Sequence, residues 1–249
     1  MVVLIQQYYI SEHKQRQDEI NRCLLMNSNN PLIEKIYLLN EKIYDFSSEE
    51  IGFKTTTSDK IVLKEENDLN SLYTKNLWFK LVVDKIEQID IGKRLTYKDA
   101  FQFAKTLNKD TVKILCNNDI TFDHIPSLRL IERYNYDNLC ITLTRWNVKS
   151  YKPFDARLFD AAYSQDAWIF KDVEPTDEMD FYLGVIRCDN KILWLLREMG
   201  YKTLNPAKDI QTYHHHMSNF RRVQTPLDFH KASSIKTDHV CLGDLIPEN

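Results

Sequence analysis

The sequence predicts an α/β fold with a mixed central sheet, and three observations carry that expectation. Short apolar runs of strand length recur along the chain, at residues 2–6, 35–39, 112–115 and 139–143. A helical repeat opens at a capping box, Thr96 to Asp99, and leads straight into the run at 112–115. That run ends in a polar cluster, Asn117-Asn118-Asp119. Open α/β sheets bind ligands in the crevice beyond such strand ends.

The first strand is predicted at 2–6, before Gln7-Tyr8-Tyr9. A polar helix is expected from Ser11 to about Met26, with Ser11 as its cap. A strand at 35–39 follows the turn that ends in Pro31. Residues 41–76 are polar and read as loops with a short edge element, and 78–83 as a further strand. After Thr96, the residues Ala100, Phe101, Phe103, Ala104 and Leu107 recur at helical spacing. A helix at 127–134 and a strand at 139–143 come next. Residues 167–170 and 181–183 read as two short strands. The helix at 189–199 has an apolar face of Ile192, Leu193, Leu195, Leu196 and Met199, with Gly200 placed to end it. Residues 1–222 are expected to form one domain, and 223–249 an extension packed on it or on a partner.

The composition narrows the function classes. The chain has 249 residues, 43% hydrophobic, enough for one large domain. A formal charge of −3 argues against a broad nucleic-acid surface. No run of about 18 apolar residues occurs, so no membrane-spanning helix is expected. The N-terminal residues lack a basic stretch and read as a strand, not a signal peptide. The five cysteines are scattered without a C-x-x-C pair. That fits a reducing compartment, the cytoplasm, and offers no cysteine zinc site.

Four constellations offer chemistry. Asn117 and Asp119 would face one side of an extended segment and could share one ligand, or form an Asx turn with the local backbone. Oxygen ligands of this kind suit Mg²⁺ or Mn²⁺ beside a diphosphate. Asp123 is either a further ligand or a cap for the next helix. Asp166, in Ser164-Gln165-Asp166, could accept from sugar hydroxyls or cap its loop. Asp189 stands at a helix start, where the dipole favours an ionised carboxylate. It could serve as a general base or as an N-cap. Finally, in Tyr213-His214-His215-His216, an extended chain turns His214 and His216 to one side and His215 to the other. Imidazoles can join a carboxylate around Mn²⁺, and Arg221 and Arg222 can grip phosphate. A surface strand or a zinc contact remains open for the histidines.

Taken together, residues 2–222 resemble a family of GT-A-type glycosyltransferases found in bacteria, algae and large DNA viruses. The stretches that carry the resemblance are VVLIQQYY, GKRLTYKDAFQFA, NNDITFD, LTRW, SQDAWIF, LGVIRCDNKI, GYKTLNP and YHHHMSNFR. It implies a Rossmann-like nucleotide-diphospho-sugar transferase fold, and a nucleotide-diphosphate sugar as donor with Mn²⁺ or Mg²⁺. The family's Asp-x-Asp motif falls on Asn117-Asn118-Asp119, where Asn replaces the first Asp. The resemblance makes Asp119 the principal metal ligand, with His214 or His216 as a late contact. It makes Asp189 the base that activates an acceptor hydroxyl, with Asp166 as runner-up. Gln6, Tyr8, Arg94, Tyr97, Asn118, Arg145 and Arg221 would line the nucleotide and sugar, and Trp146 would line the sugar pocket or close the core.

The implied activity is hexosyl or pentosyl transfer, with inversion, from a UDP-sugar to a saccharide or other hydroxyl acceptor. The rivals are a retaining glycosyltransferase, a sugar nucleotidyltransferase and a non-catalytic nucleotide- or saccharide-binding protein.

Overall fold

The computed structural model describes residues 1–48, 51, 53–55, 61–63, 81–122, 125–151, 154–161, 163–220 and 227. In chain order, β1 (Val2–Gln6), α1 (Lys14–Asn29) and β2 (Ile33–Asn40) come first. A hairpin of β3 (Phe53–Thr55) and β4 (Ile61–Leu63) precedes β5 (Ile86–Asp90), α2 (Tyr97–Thr106), β6 (Val112–Cys116) and β7 (Ile120–Thr121). Then come α3 (Ile125–Leu128), β8 (Leu139–Leu143), β9 (Trp146–Tyr151), β10 (Phe154–Leu158) and β11 (Ala167–Phe170). The series ends with α4 (Cys188–Glu198), β12 (Lys202–Leu204) and β13 (Tyr213–His214).

The main sheet is mixed, in the order β12-β8-β11-β6-β1-β2-β5. Only β11 runs antiparallel to its neighbours there, against both β6 and β8. Its four central strands β8, β11, β6 and β1 are buried along their whole length. Strands covered on both faces read as near-continuous apolar runs, which is why they were legible. Alternate side chains feed two cores. Leu4, Ile114, Ile141 and Ile169 pack with Ile20 and Leu24 of α1. Ile5, Leu115, Cys140 and Trp168 pack with Phe101 of α2 and with Ile192 and Leu196 of α4.

The chain reverses its direction of sheet growth at β1. β2 and β5 extend the sheet to one side, and β6 starts the other. The carboxyl ends of β1 and β6 therefore flank the topological switch point, the place where open α/β sheets bind ligands. Beyond β6 the chain turns at 117–120, where the Ile120 N–H donates to the Asn117 carbonyl at 3.3 Å. It then enters a second sheet, ordered β10-β9-β13-β7.

Several local expectations need correction. α1 is capped by His13, whose ring accepts from the Arg16 N–H, and Ser11 instead accepts from the His13 N–H. Of the strand expected at 78–83, residues 78–80 lie outside the described residues. Val83 opens a 3-10 turn, and the strand begins at Ile86. The helix expected at 127–134 is α3 followed by a 3-10 turn at Arg129–Arg133. Residues 181–183 pair with the α2 entry through Tyr97 N–H to Phe181 O, Leu183 N–H to Leu95 O and one bridge, Thr96 to Tyr182. That contact is too short to become a strand. The C-terminal extension expected at 223–249 lies outside the described residues apart from Leu227, as do Asp123 and Arg222.

The capping box is present in full. Thr96 Oγ1 accepts from the Asp99 N–H at 3.1 Å, and Asp99 accepts from the Thr96 N–H at 3.3 Å. Gly200, at φ +85°, follows the last residue of the α4 cap, a backbone angle that favours glycine. Replacing Thr96 by Ala removes the α2 cap. The expected loss is about 1 kcal/mol of folding stability, read from the midpoint of urea denaturation.

Candidate metal centre and its carboxylates

Two distant segments meet through backbone pairing. β13 lies antiparallel to β7, which sets His214 opposite Ile120. One step on, the His215 N–H donates to the Asp119 carbonyl at 2.9 Å. β13 also lies parallel to β9, which sets His214 beside Asn147. Side chains alternate along the extended histidine run. His214 Nε2 accordingly lies 3.0 Å from Asp119 Oδ2, and His216 Nδ1 lies 3.7 Å from it. His215 points the other way, with Nε2 3.0 Å from Thr121 Oγ1 and Nδ1 3.0 Å from the Tyr151 hydroxyl. Burial drops its pKa to about 3, so it stays a neutral packing group.

Asp119 is only 4% exposed, too buried for a bare charge. Arg16 of α1 reaches it from below, donating from Nη2 to Oδ2 at 2.7 Å. Burial alone would raise the Asp119 pKa, but His214 and Arg16 hold it well below the usual carboxylate range. Arg16 is itself steadied by Glu19, whose Oε2 lies 3.3 Å from Nη1. Glu19 also accepts from the Ser218 N–H at 2.6 Å and the Ser218 hydroxyl at 2.8 Å. The segment that carries His216 is therefore tied to the helix that carries Arg16.

Asp119, His214 and His216 form a group that could hold a metal ion, their ligand atoms all within 4.8 Å of one another. Two features fit an ion there. Asp119 Oδ1 is buried without a hydrogen-bond partner among the described residues, an acceptor aimed at nothing. The His216 Nε2–H donates to the Phe220 carbonyl at 2.8 Å, which leaves its Nδ1 lone pair facing Asp119. One carboxylate and two imidazoles suit Mn²⁺, Fe²⁺ or Zn²⁺ better than Mg²⁺, which prefers all-oxygen sites.

A second cluster adjoins the first. The Asn117 side chain is engaged away from Asp119. The turn at 117–120 aims it elsewhere, and its Nδ2 donates to Asp166 Oδ1 at 2.9 Å. Arg145 grips the other Asp166 oxygen and donates to Ser164 Oγ at 3.1 Å and to Asn147 Oδ1 at 3.0 Å. Burial opposes the Arg145 charge, and Asp166, with Asp119 and Asp189, more than offsets that. Asp189 is not the cap of α4. That place falls to Arg187, at φ +73°, and Asp189 sits in the first helical turn. Its carboxylate accepts from the Asn190 N–H at 3.0 Å and the Gln165 N–H at 3.3 Å. Burial first, and the neighbouring Asp166 second, push its pKa up to about 6.

The remaining sequence-derived candidates lie around these clusters. Gln6, at the end of β1, is fully buried, and its Nε2 has no partner among the described residues. Asn118 is buried in the turn beside Asp119. Arg94 donates to the Leu183 carbonyl at 2.7 Å and lies over the Tyr182 ring. Tyr8 is packed core, edge-on to Tyr44 and Phe46, with its hydroxyl donating to Asn21. Tyr97 is core as well, edge-on to Trp168 with its hydroxyl on Cys188 Sγ. These contacts occupy both rings and leave neither open to a nucleotide base. Trp146 donates from Nε1 to the Ala207 carbonyl at 2.9 Å. Arg221 lies outside the described residues.

Sequence reasoning missed Arg16, Glu19 and Asn147. Arg16 and Glu19 share a helix face at i and i+3, the one signal available. Asn147 had none. Removing Arg16 takes the guanidinium away from the buried Asp119 carboxylate. In chelator, Arg16→Met is expected to cost about 3–5 kcal/mol of stability, and adding Asp119→Asn is expected to restore much of it. Chemical denaturation of the single and double variants reads both.

No family model and no curated protein matches this sequence. Among solved structures, the chain is similar to a crystal structure of 4-diphosphocytidyl-2C-methyl-D-erythritol synthase from Anaerococcus prevotii. The match has a TM-score of 0.36 and 10% identity, and it covers 90% of each chain. A likeness at that level says nothing of this chain's substrate.

Proposed function

We propose that this chain is a metal-dependent glycosyltransferase of the GT-A type. It moves a sugar from a nucleotide-diphosphate donor, a UDP-sugar, to a hydroxyl of a saccharide acceptor with inversion. One observation carries the reading. The Asp119, His214 and His216 group lies just beyond β6 at the sheet's switch point, and Asn147, Arg145 and Asp166 link it to a second carboxylate of opposite character, Asp189.

In this reading Asp119, His214 and His216 hold Mn²⁺, which when bound offsets charge on the departing diphosphate. Asp189 accepts the acceptor's proton as the hydroxyl oxygen attacks the anomeric carbon. A base with a pKa near 6 is mostly ionised at neutral pH and still takes a proton efficiently. Asp166, held by Arg145 and Asn117, orients a sugar hydroxyl. The two acidic groups thus divide the work, one permanently anionic and one exchanging a proton.

A panel of UDP-, GDP- and dTDP-sugars, assayed with Mn²⁺ and with chelator, tests the reading. Turnover of a UDP-sugar that stops with chelator is the expected outcome, with an inverted product anomer by NMR. Pyrophosphate release from a nucleoside triphosphate contradicts it in favour of nucleotidyl transfer. Binding of donors without turnover marks a binding protein.

Asp189→Asn is expected to lower transfer by about 10²–10⁴-fold while donor affinity holds. Equal activity in that variant removes Asp189 from the role of base. The pH profile gives an independent check. Activity is expected to rise as Asp189 deprotonates through about pH 6 and to level off above it, and the acidic limb is expected to vanish in Asp189→Asn.

A further inference from the structure

We propose that Asn147 is a positioning residue of the metal centre, fixing which nitrogen of His214 faces the ion, and that Arg145 fixes Asn147 in turn. The proposal rests on reading Asp119, His214 and His216 as a metal centre.

The hydrogen-bond geometry assigns each atom. Arg145 Nε–H can only donate, and it lies 3.0 Å from Asn147 Oδ1. That atom must be the amide oxygen, because the reverse orientation would set donor against donor. The same oxygen lies 3.1 Å from His214 Nδ1. His214 Nδ1 therefore carries a hydrogen and donates it to Asn147. The remaining nitrogen, Nε2, faces Asp119 Oδ2 at 3.0 Å. Nδ1 is thereby committed to Asn147, and an ion would replace the direct contact between Nε2 and the Asp119 carboxylate. Metal-binding histidines generally hold their second nitrogen in this way, and losing the holding group weakens the metal.

His216 reaches the same end by another route. Its Nε2–H goes to the Phe220 carbonyl, and Nδ1 is the atom offered. The two histidines thus present opposite ring nitrogens, one fixed by a side chain and the other by the main chain. Only the first can be changed without altering the backbone.

Arg145 gives the arrangement its reach. Besides Asn147 it holds Asp166 and Ser164, and the next residue in that loop, Gln165, donates its N–H to Asp189. One guanidinium links the metal-facing histidine to the loop that contacts the acidic residue of α4.

The experiment uses the full chain stripped of metal and titrated with Mn²⁺, with unbound ion read by electron paramagnetic resonance. Asn147→Leu is expected to weaken Mn²⁺ binding by about 10–100-fold. Asn147→Asp keeps an oxygen acceptor and is expected to match or exceed the wild type. Long-range proton–nitrogen NMR of the His214 ring is expected to place a hydrogen on Nδ1 in the wild type and in Asn147→Asp. In Asn147→Leu that preference is expected to be lost. Should Asn147→Leu fail to fold, Arg145→Met keeps Asn147 but removes its orienting donor, and weaker Mn²⁺ binding is expected there too. Unchanged affinity in Asn147→Leu, or in Arg145→Met where that variant stands in, overturns the proposal. An equal loss in Asn147→Leu and Asn147→Asp also overturns it, since it would mark a packing role. A wild-type chain that binds no Mn²⁺ overturns the metal centre itself, and this proposal with it.

Discussion

Burying the Asp119 carboxylate is the constraint around which this end of the molecule is built. An ionised group taken that far from water costs several kcal/mol unless charges and donors surround it. Arg16 supplies the opposite charge from α1, and His214 and His216 supply ring nitrogens from the far end of the described chain. Each helper needs support of its own. Glu19 steadies Arg16 and holds Ser218, and Asn147 and the Phe220 carbonyl hold the two imidazoles. The polar inner face of α1 and the pairing of β7 with β13 both follow from this one requirement. One atom escapes the arrangement, Asp119 Oδ1, which has no hydrogen-bond partner among the described residues.

The main sheet decides where that constraint falls. Because the sheet grows in opposite directions from β1, its switch point lies between β1 and β6, the kind of place where open α/β sheets bind ligands. The turn after β6 delivers Asp119 to that place, and α4 delivers Asp189. Similar side chains then acquire different properties from their surroundings. Arg16 and His214 keep Asp119 anionic, whereas burial and Asp166 make Asp189 easier to protonate. A pair of carboxylates pushed apart in this way is suited to hold a cation with one and exchange a proton with the other.

The parts legible in the sequence were those with one dominant physical signal. Fully buried strands such as β6 and β8 are apolar runs broken by one polar residue each, Lys113 and Thr142, and the Thr96–Asp99 box is a local exchange of hydrogen bonds. The opposed directions of His214 and His215 follow from strand geometry alone. The edge strand β5 escaped notice because its half-exposed residues mix charge with isoleucine. Residues 181–183 misled because three apolar residues serve a single bridge as well as a strand. Arg16 and Glu19 looked like a solvated helix face, since nothing local distinguishes a charge facing water from one facing a buried carboxylate. Asn117 is the converse case. Its motif left an extended segment and a turn both open, and the Ile120 N–H donating to its carbonyl closes a turn.

The central claim is that Asp119, His214 and His216 form a metal centre at the sheet's switch point. Anomalous diffraction from crystals soaked in Mn²⁺ tests it most directly. The account predicts one strong peak within bonding distance of Asp119 Oδ1, His214 Nε2 and His216 Nδ1. No peak there would contradict it.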